Sequence, residues 1–224
     1  MNFTKEEAIR IVVQCAEKYQ QELEQKSLLF LCVDKHMAAS IYEFCFFGYN
    51  FQHLTGLKVK MNQGTGADAK KTDISTKEIT AIPFYEKCLD HKLSPDDFEF
   101  AEDGTTMLKL EILPSLITKN LSASMIGDYN SNKPKLYTEK LAGGVKACMG
   151  FVSDTASGFY VPNTVLKEDI RDNVSNWLRI IAIFRKPVAY KKYTEITYMA
   201  KKTDWTRVRV PDFYRYLLDI LPEN

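Results

Sequence analysis

The chain lacks most of the residue patterns that announce a function. It has five cysteines, Cys15, Cys32, Cys45, Cys88 and Cys148. Their number is odd, their spacing is wide and no Cys-x-x-Cys occurs, which excludes a disulfide framework and a zinc knuckle. Three histidines, His36, His53 and His91, share no ligand spacing, so no histidine-based metal site is expected. There is no Gly-x-Ser-x-Gly elbow for serine hydrolysis. Gly64-Thr65-Gly66 has neither a Walker lysine nor dinucleotide spacing, so no phosphate cradle and no cofactor follow from it. No window reaches the ~20 consecutive apolar residues of a membrane span. Lys5, Glu6 and Glu7 put charge within the first seven positions, where a secretory segment would be turning apolar. A net charge of +1 sets up no global field towards nucleic acid or lipid. These absences, with cysteines set among apolar neighbours (Leu31-Cys32-Val33, Phe44-Cys45-Phe46), predict a protein kept in the reducing cytoplasm.

What is present is enough apolar sequence for a large core. At 224 residues, 45% of them hydrophobic and 26% charged, the chain is predicted to form a single domain over 1–224. The 13 Phe and 12 Tyr favour sheet. Charge is unevenly spread: between Arg185 and Arg209 eight cations face two carboxylates, a local +6 that leaves the rest of the chain at −5.

Thr4 and Glu7 have capping-box spacing, and Ala8, Val12, Cys15, Ala16, Tyr19 and Leu23 follow at helical spacing, which predicts an amphipathic first helix. Ser27 to Val33 reads as a buried strand and Ile41 to Phe47 as a second. Residues 61–77 are polar and poor in large apolar groups, and predict a long mobile loop. Pro83 suits the first turn of a helix bearing Phe84, Cys88 and Leu89. Thr106 to Thr118 is helical in spacing, with a kink expected at Pro114. Val145–Val152 and Phe159–Pro162 flank a turn-rich stretch and predict a hairpin. Leu178–Phe184 and Thr194–Ala200 read as strands, and Pro211–Leu221 as a closing helix. Helices gather early and strands late, so the fold class expected is α+β, with N-terminal helices and a hairpin packed on a small antiparallel sheet.

His53 lies in Phe51-Gln52-His53-Leu54-Thr55-Gly56-Leu57-Lys58. An imidazole beside a hydroxyl, a glycine and a lysine suits phosphate chemistry, because it gives and takes protons near neutral pH. The same pattern is also that of a helix start with a half-buried histidine.

The segment Phe51-Gln52-His53-Leu54-Thr55-Gly56 resembles a motif of a phage-borne branch of the barnase, EndoU, colicin and RelE superfamily of ribonucleases. Further stretches are similar to the same branch: Gly127-Asp128-Tyr129 with the run from Lys135 to Gly143, Tyr160 to Thr164 with Leu166, Asp169, Ile170 and Arg171, and Ile181 to Arg185. The similarity runs from about Leu28 to Ala200, the nuclease-like core. It implies a barnase/RelE-like antiparallel sheet and metal-independent, toxin-like endoribonuclease activity of phage or mobile-element origin. The 2′-hydroxyl would attack the adjacent phosphorus with no cofactor and no metal. It further implies His53 as the proton-transfer group, Thr55 orienting it or bonding a phosphate oxygen, and Lys140 and Arg171 stabilising the transition state. Asn163 would bind base or phosphate, and Thr197 or Tyr198 would point into the cleft.

Each of these residues also has an ordinary reading. Lys140 and Arg171 serve equally as solvated cations, Asn163 as a turn cap, and Thr197 and Tyr198 as sheet packing. Lys58 and the basic stretch with Arg185, Lys191, Lys192, Lys201 and Lys202, interleaved with Tyr190, Tyr193, Tyr198 and Trp205, read either as a single-stranded RNA track or as a solvated sheet edge. The partners expected are RNA, tRNA included, and a cognate inhibitor or host protein, with no membrane. The alternative function is a catalytically inactive member of the same fold that binds RNA or a host protein.

Overall fold

The structure is a computed structural model that describes residues 3–60, 75–130 and 136–221. Its first helix, α1 (Lys5–Glu22), begins at the expected reciprocal cap. The Glu7 N–H donates to the Thr4 hydroxyl at 3.2 Å, and the Thr4 N–H donates to the Glu7 carboxylate at 2.9 Å. Its apolar stripe, Ala8, Val12, Cys15, Ala16 and Tyr19, is buried as the spacing requires.

The elements that follow are β1 (Lys26–Val33), β2 (Ala39–Cys45), α2 (Phe51–Thr55), β3 (Lys58–Val59), α3 (Ser75–Leu89), β4 (Phe98–Glu99) and α4 (Thr105–Leu116). The second half carries β5 (Met125–Tyr129), β6 (Lys140–Gly143), β7 (Cys148–Ser153), β8 (Tyr160–Leu166), α5 (Ile170–Asn173), β9 (Val174–Pro187), β10 (Glu195–Met199) and α6 (Tyr216–Asp219).

The strands do not form the small antiparallel sheet that the sequence suggested. Seven of them close into a mixed barrel in the order β1-β2-β8-β7-β6-β5-β9, with β9 returning to β1 and β10 added on β9. The single parallel join is β2 to β8, where Phe44 meets Tyr160; the other joins in the ring are antiparallel. Closure depends on the 14-residue β9, whose first half pairs with β5 and whose second half pairs with β1. Nothing local in the chain encodes that double use. The strands β5 and β6 have no counterpart among the expected elements, being short and carrying Gly127, Asp128 and Lys140 where apolar alternation would be expected. Gly127 is a packing requirement, since a Cβ there would come within 2.7 Å of the Val174 side chain.

Three other expectations change. The mobile loop at 61–77 lies outside the described residues as far as 74, and its last three residues begin α3. Pro83 is inside that helix rather than in its first turn. The closing helix at 211–221 shrinks to the four residues of α6. The hairpin does form, as β7 and β8, but as barrel wall.

Period-two alternation sends the strand side chains into separate cores. Leu28, Phe30 and Cys32 of β1 join Phe44, Ile126, Ala142, Met149, Phe151, Val165 and Ile180, residues from all seven barrel strands, in one cluster continuous with α1, α3 and α4. Leu29, Leu31 and Val33 face the other way, against Ile181, Phe184, Tyr193, Val208 and Leu217. A third cluster, Tyr129, Leu141, Cys148, Leu166, Ile170 and Val174, lies on the outer side of β5 to β8 beneath α5.

Candidate active site

Strand β6 alternates between two of these environments. Leu141 belongs to the outer cluster and Ala142 to the inner one, so Lys140 shares the inward face with Ala142. Its ladder neighbours are Asp128 on β5 and Phe151 on β7. The Lys140 ammonium is paired with the Asp128 carboxylate and lies 5.1 Å from the centroid of the Tyr42 ring, which belongs to β2. An ammonium held on the inward face needs both a counter-charge and an electron-rich surface, and it finds both.

Beneath it the barrel is aromatic. Phe44 lies 4.4 Å from Phe151, 4.7 Å from Phe30 and 5.8 Å from Tyr160, centroid to centroid. The Lys140 side chain is 17% exposed and that of Asp128 46%, so the pair is embedded at its cationic end and open to water at its anionic end. Burial pulls the Lys140 ammonium down, but the Asp128 carboxylate, with Tyr42 and Tyr160, outweighs that pull and leaves it above the ordinary lysine value. Burial raises the Tyr42 phenol more than the nearby ammonium lowers it, so Tyr42 keeps its proton at neutral pH. The arrangement offers a fixed cation, a phenolic donor and a half-exposed carboxylate converging at the barrel interior.

Other residues singled out by sequence have different settings. His53 is exposed on α2, a short helix packed against α3, α4 and β8, and its backbone carbonyl accepts from the Lys109 ammonium at 3.2 Å. Thr55 is buried at the end of α2. Its hydroxyl donates to the Gln52 carbonyl at 2.8 Å and accepts from the Leu57 N–H at 3.1 Å, while Gly56 takes the left-handed conformation that closes the helix. Lys58 is exposed on β3. Arg171 is exposed on α5, over the outer cluster, and forks onto Asp169 at 3.0 and 3.1 Å through its Nε. Lys140 and Arg171 therefore occupy opposite sides of the barrel wall.

Asn163 accepts from the Thr138 hydroxyl at 2.7 Å and donates to the Tyr137 carbonyl, tying the approach to β6 onto β8. The buried Thr197 hydroxyl donates to the Ile183 carbonyl at 3.2 Å, and Tyr198 is half-buried beside it. Arg185 is occupied by Glu195 at 2.7 and 2.8 Å and by Glu22 at 3.0 Å. Lys192 lies 5.4 Å from the Tyr216 ring, and Lys191, Lys201 and Lys202 are exposed.

The sequence singles out Lys140 but carries no sign of its setting. Asp128 and Tyr160 stood inside quoted motifs without a role, and Tyr42 carried no signal beyond an aromatic strand. A cysteine nucleophile finds no support: all five thiols are buried, and burial pushes Cys45 up to about 11 and Cys15, Cys88 and Cys148 up to about 12. Among the described residues no three His, Cys, Asp or Glu are gathered as a metal would require, and no helix is long and apolar enough to cross a membrane.

Residues 11–202 match the family PBECR4, whose description is "phage-Barnase-EndoU-ColicinE5/D-RelE like nuclease4". No curated protein and no solved structure matches the chain.

Proposed function

The chain belongs to the PBECR4 family of nucleases, and on that premise we propose that it is an endoribonuclease whose centre is the Lys140 cluster inside the barrel. The observation that carries this reading is the Lys140 ammonium seated on the inward face, over Tyr42, with Asp128 at its solvent side. A phosphate entering from that side would take over Lys140 and release the Asp128 carboxylate. The carboxylate then accepts the proton of the ribose 2′-hydroxyl as that oxygen bonds to phosphorus. The bond from phosphorus to the 5′-oxygen breaks, and the leaving oxygen takes a proton from the Tyr42 phenol. Lys140 stabilises both the crowded phosphate and the phenolate formed beside it. The protonated Asp128 returns its proton to Tyr42 through water. The nucleophile comes from RNA, and the step needs no metal and no covalent enzyme intermediate.

In this reading His53 has no direct part in bond making. The substrate is RNA, tRNA being one candidate, and the enzyme is a toxin-like product of phage or mobile-element origin acting in the cytoplasm. The closed Lys140–Asp128 pair also supports a second reading, a non-catalytic member of the family that binds RNA or a host protein, since the pair must open before either group can act. Cleavage of total cellular RNA in EDTA separates the two. Discrete fragments ending in 2′,3′-cyclic phosphate are the expected result. Intact RNA at high protein concentration removes catalysis and leaves binding.

A further inference from the structure

A groove borders the barrel on the side of the β1–β2 turn. One part of it, with a volume of about 720 Å³, is lined by Lys35, Met37, Asn176, Trp177, Leu178 and Arg179 among others. A second part of about 460 Å³ shares Met37 and continues to Arg207 and Arg209. A parallel bridge between Ala38 and Arg209 holds the two parts together.

Trp177 is the unusual residue here. It stands on β9 where the ladder to β5 slips: Leu178 pairs with Ile126 but Ser175 pairs with Asp128, leaving Asn176 and Trp177 opposite Gly127. Such bulges turn a side chain out of the sheet, and Trp177 is 53% exposed as a result. Asn176 and Met37 both adopt left-handed backbone, φ 52° and 63°, and both line the groove. That conformation is unusual for an unbranched apolar residue such as Met37 and is held only where the surroundings impose it.

Charge in the groove is mostly of one sign. Lys35, Arg179, Arg207 and Arg209 are exposed. Among the described residues, none of the four is in an ion pair; Arg179 donates to the Lys201 carbonyl at 2.9 Å. The one carboxylate in the lining, Asp34, is turned to its own loop, accepting from the His36 N–H at 2.8 Å and the Ala38 N–H at 2.9 Å. The lining thus sets four cations against the single carboxylate of Asp34, which lies beside Lys35.

We propose that this groove binds a single-stranded stretch of polynucleotide, with one base stacked on Trp177 and the phosphates running past Arg179, Lys35, Arg207 and Arg209. A free aromatic face amid unpaired cations is the combination single strands use, since every base offers a flat face and every link a charge. Because Ser175 is the ladder partner of Asp128, the bulge begins beside the carboxylate at the mouth of the Lys140 cluster. The groove thus feeds a strand towards that cluster. The assignment rests on the nuclease reading for the direction of feed but not for the binding itself.

The test is fluorescence anisotropy of a labelled oligouridylate of about twelve nucleotides, within the span of known single-strand sites. All its riboses carry 2′-O-methyl groups. It cannot supply a 2′-hydroxyl nucleophile, so binding is read apart from cleavage, and failure of either reading shows separately. The wild-type chain is expected to bind it, Trp177→Ala to bind about tenfold more weakly, and Trp177→Phe to regain most of the loss. Arg207→Ala and Arg209→Ala should each reduce the slope of log affinity against log salt by about 0.7. No binding by the wild type, equal binding by Trp177→Ala, or tighter binding of the same sequence as a duplex would overturn the assignment. Trp177 is exposed, so its replacement leaves the core untouched, and the Phe variant controls for local folding.

Discussion

The α2 segment and strand β6 both resembled the same nuclease branch in sequence, and the structure treats them in opposite ways. In α2 the hydroxyl and the glycine of the motif have local jobs: Thr55 satisfies the helix end, Gly56 turns the chain, and Thr106 donates to the Gly56 carbonyl at 2.7 Å. Thr55 and Gly56 are thus accounted for by the fold itself. In β6 a lysine is turned inward among aromatic rings, at a position where an aliphatic side chain would pack more cheaply. The proposed function therefore gives more weight to a polar group kept where packing argues against it than to the histidine of the α2 motif.

That contrast can be broken in graded ways. Removing the proposed base by Asp128→Asn should have a large effect, lowering single-turnover cleavage by about 10²-fold or more. An unchanged rate would take Asp128 out of proton transfer. Tyr42→Phe keeps the ring under Lys140 but deletes the donor, and is expected to slow cleavage by about tenfold with little change in KM. His53→Ala should stay within about twofold of the wild-type rate, a change in barrier well under the ~1.4 kcal/mol that a tenfold effect requires. A loss comparable to that of Asp128→Asn would move the centre to α2.

The smallest effect is on stability. The Lys140 pKa is raised in the folded chain, so the stabilisation it brings is fully present below the ordinary lysine range and is lost as pH climbs through its raised value. The difference in thermal midpoint between wild type and Asp128→Asn should accordingly be constant near neutrality and narrow as pH climbs into strong alkali. A difference that vanishes on acidification through neutral pH would contradict the pairing.

Legibility in the sequence followed the range of the interactions. The first helix was readable because its cap and stripe lie within a few residues of one another, and the β7–β8 hairpin because its turn is local. Barrel closure was not readable, for it rests on Phe44 meeting Tyr160 and on β9 serving β5 and β1 at once. The candidate site was half legible. Lys140 could be named, but its orientation depends on the register that puts Asp128 beside it and Tyr42 beneath it. The basic stretch is divided by the fold: Arg185 pairs with Glu195 and Glu22, while its last two cations, Arg207 and Arg209, are brought near Arg179 and Trp177.

The most direct test of the account is single-turnover cleavage of an unmodified oligoribonucleotide, in EDTA, by Lys140→Met beside wild type. Methionine keeps the length and the apolar stem, so the aromatic floor stays filled. The account predicts a fall of about 10²- to 10³-fold, as for loss of one stabilising charge at the transition state, with the thermal transition still cooperative. Cleavage at the wild-type rate would place the nuclease centre outside the barrel interior.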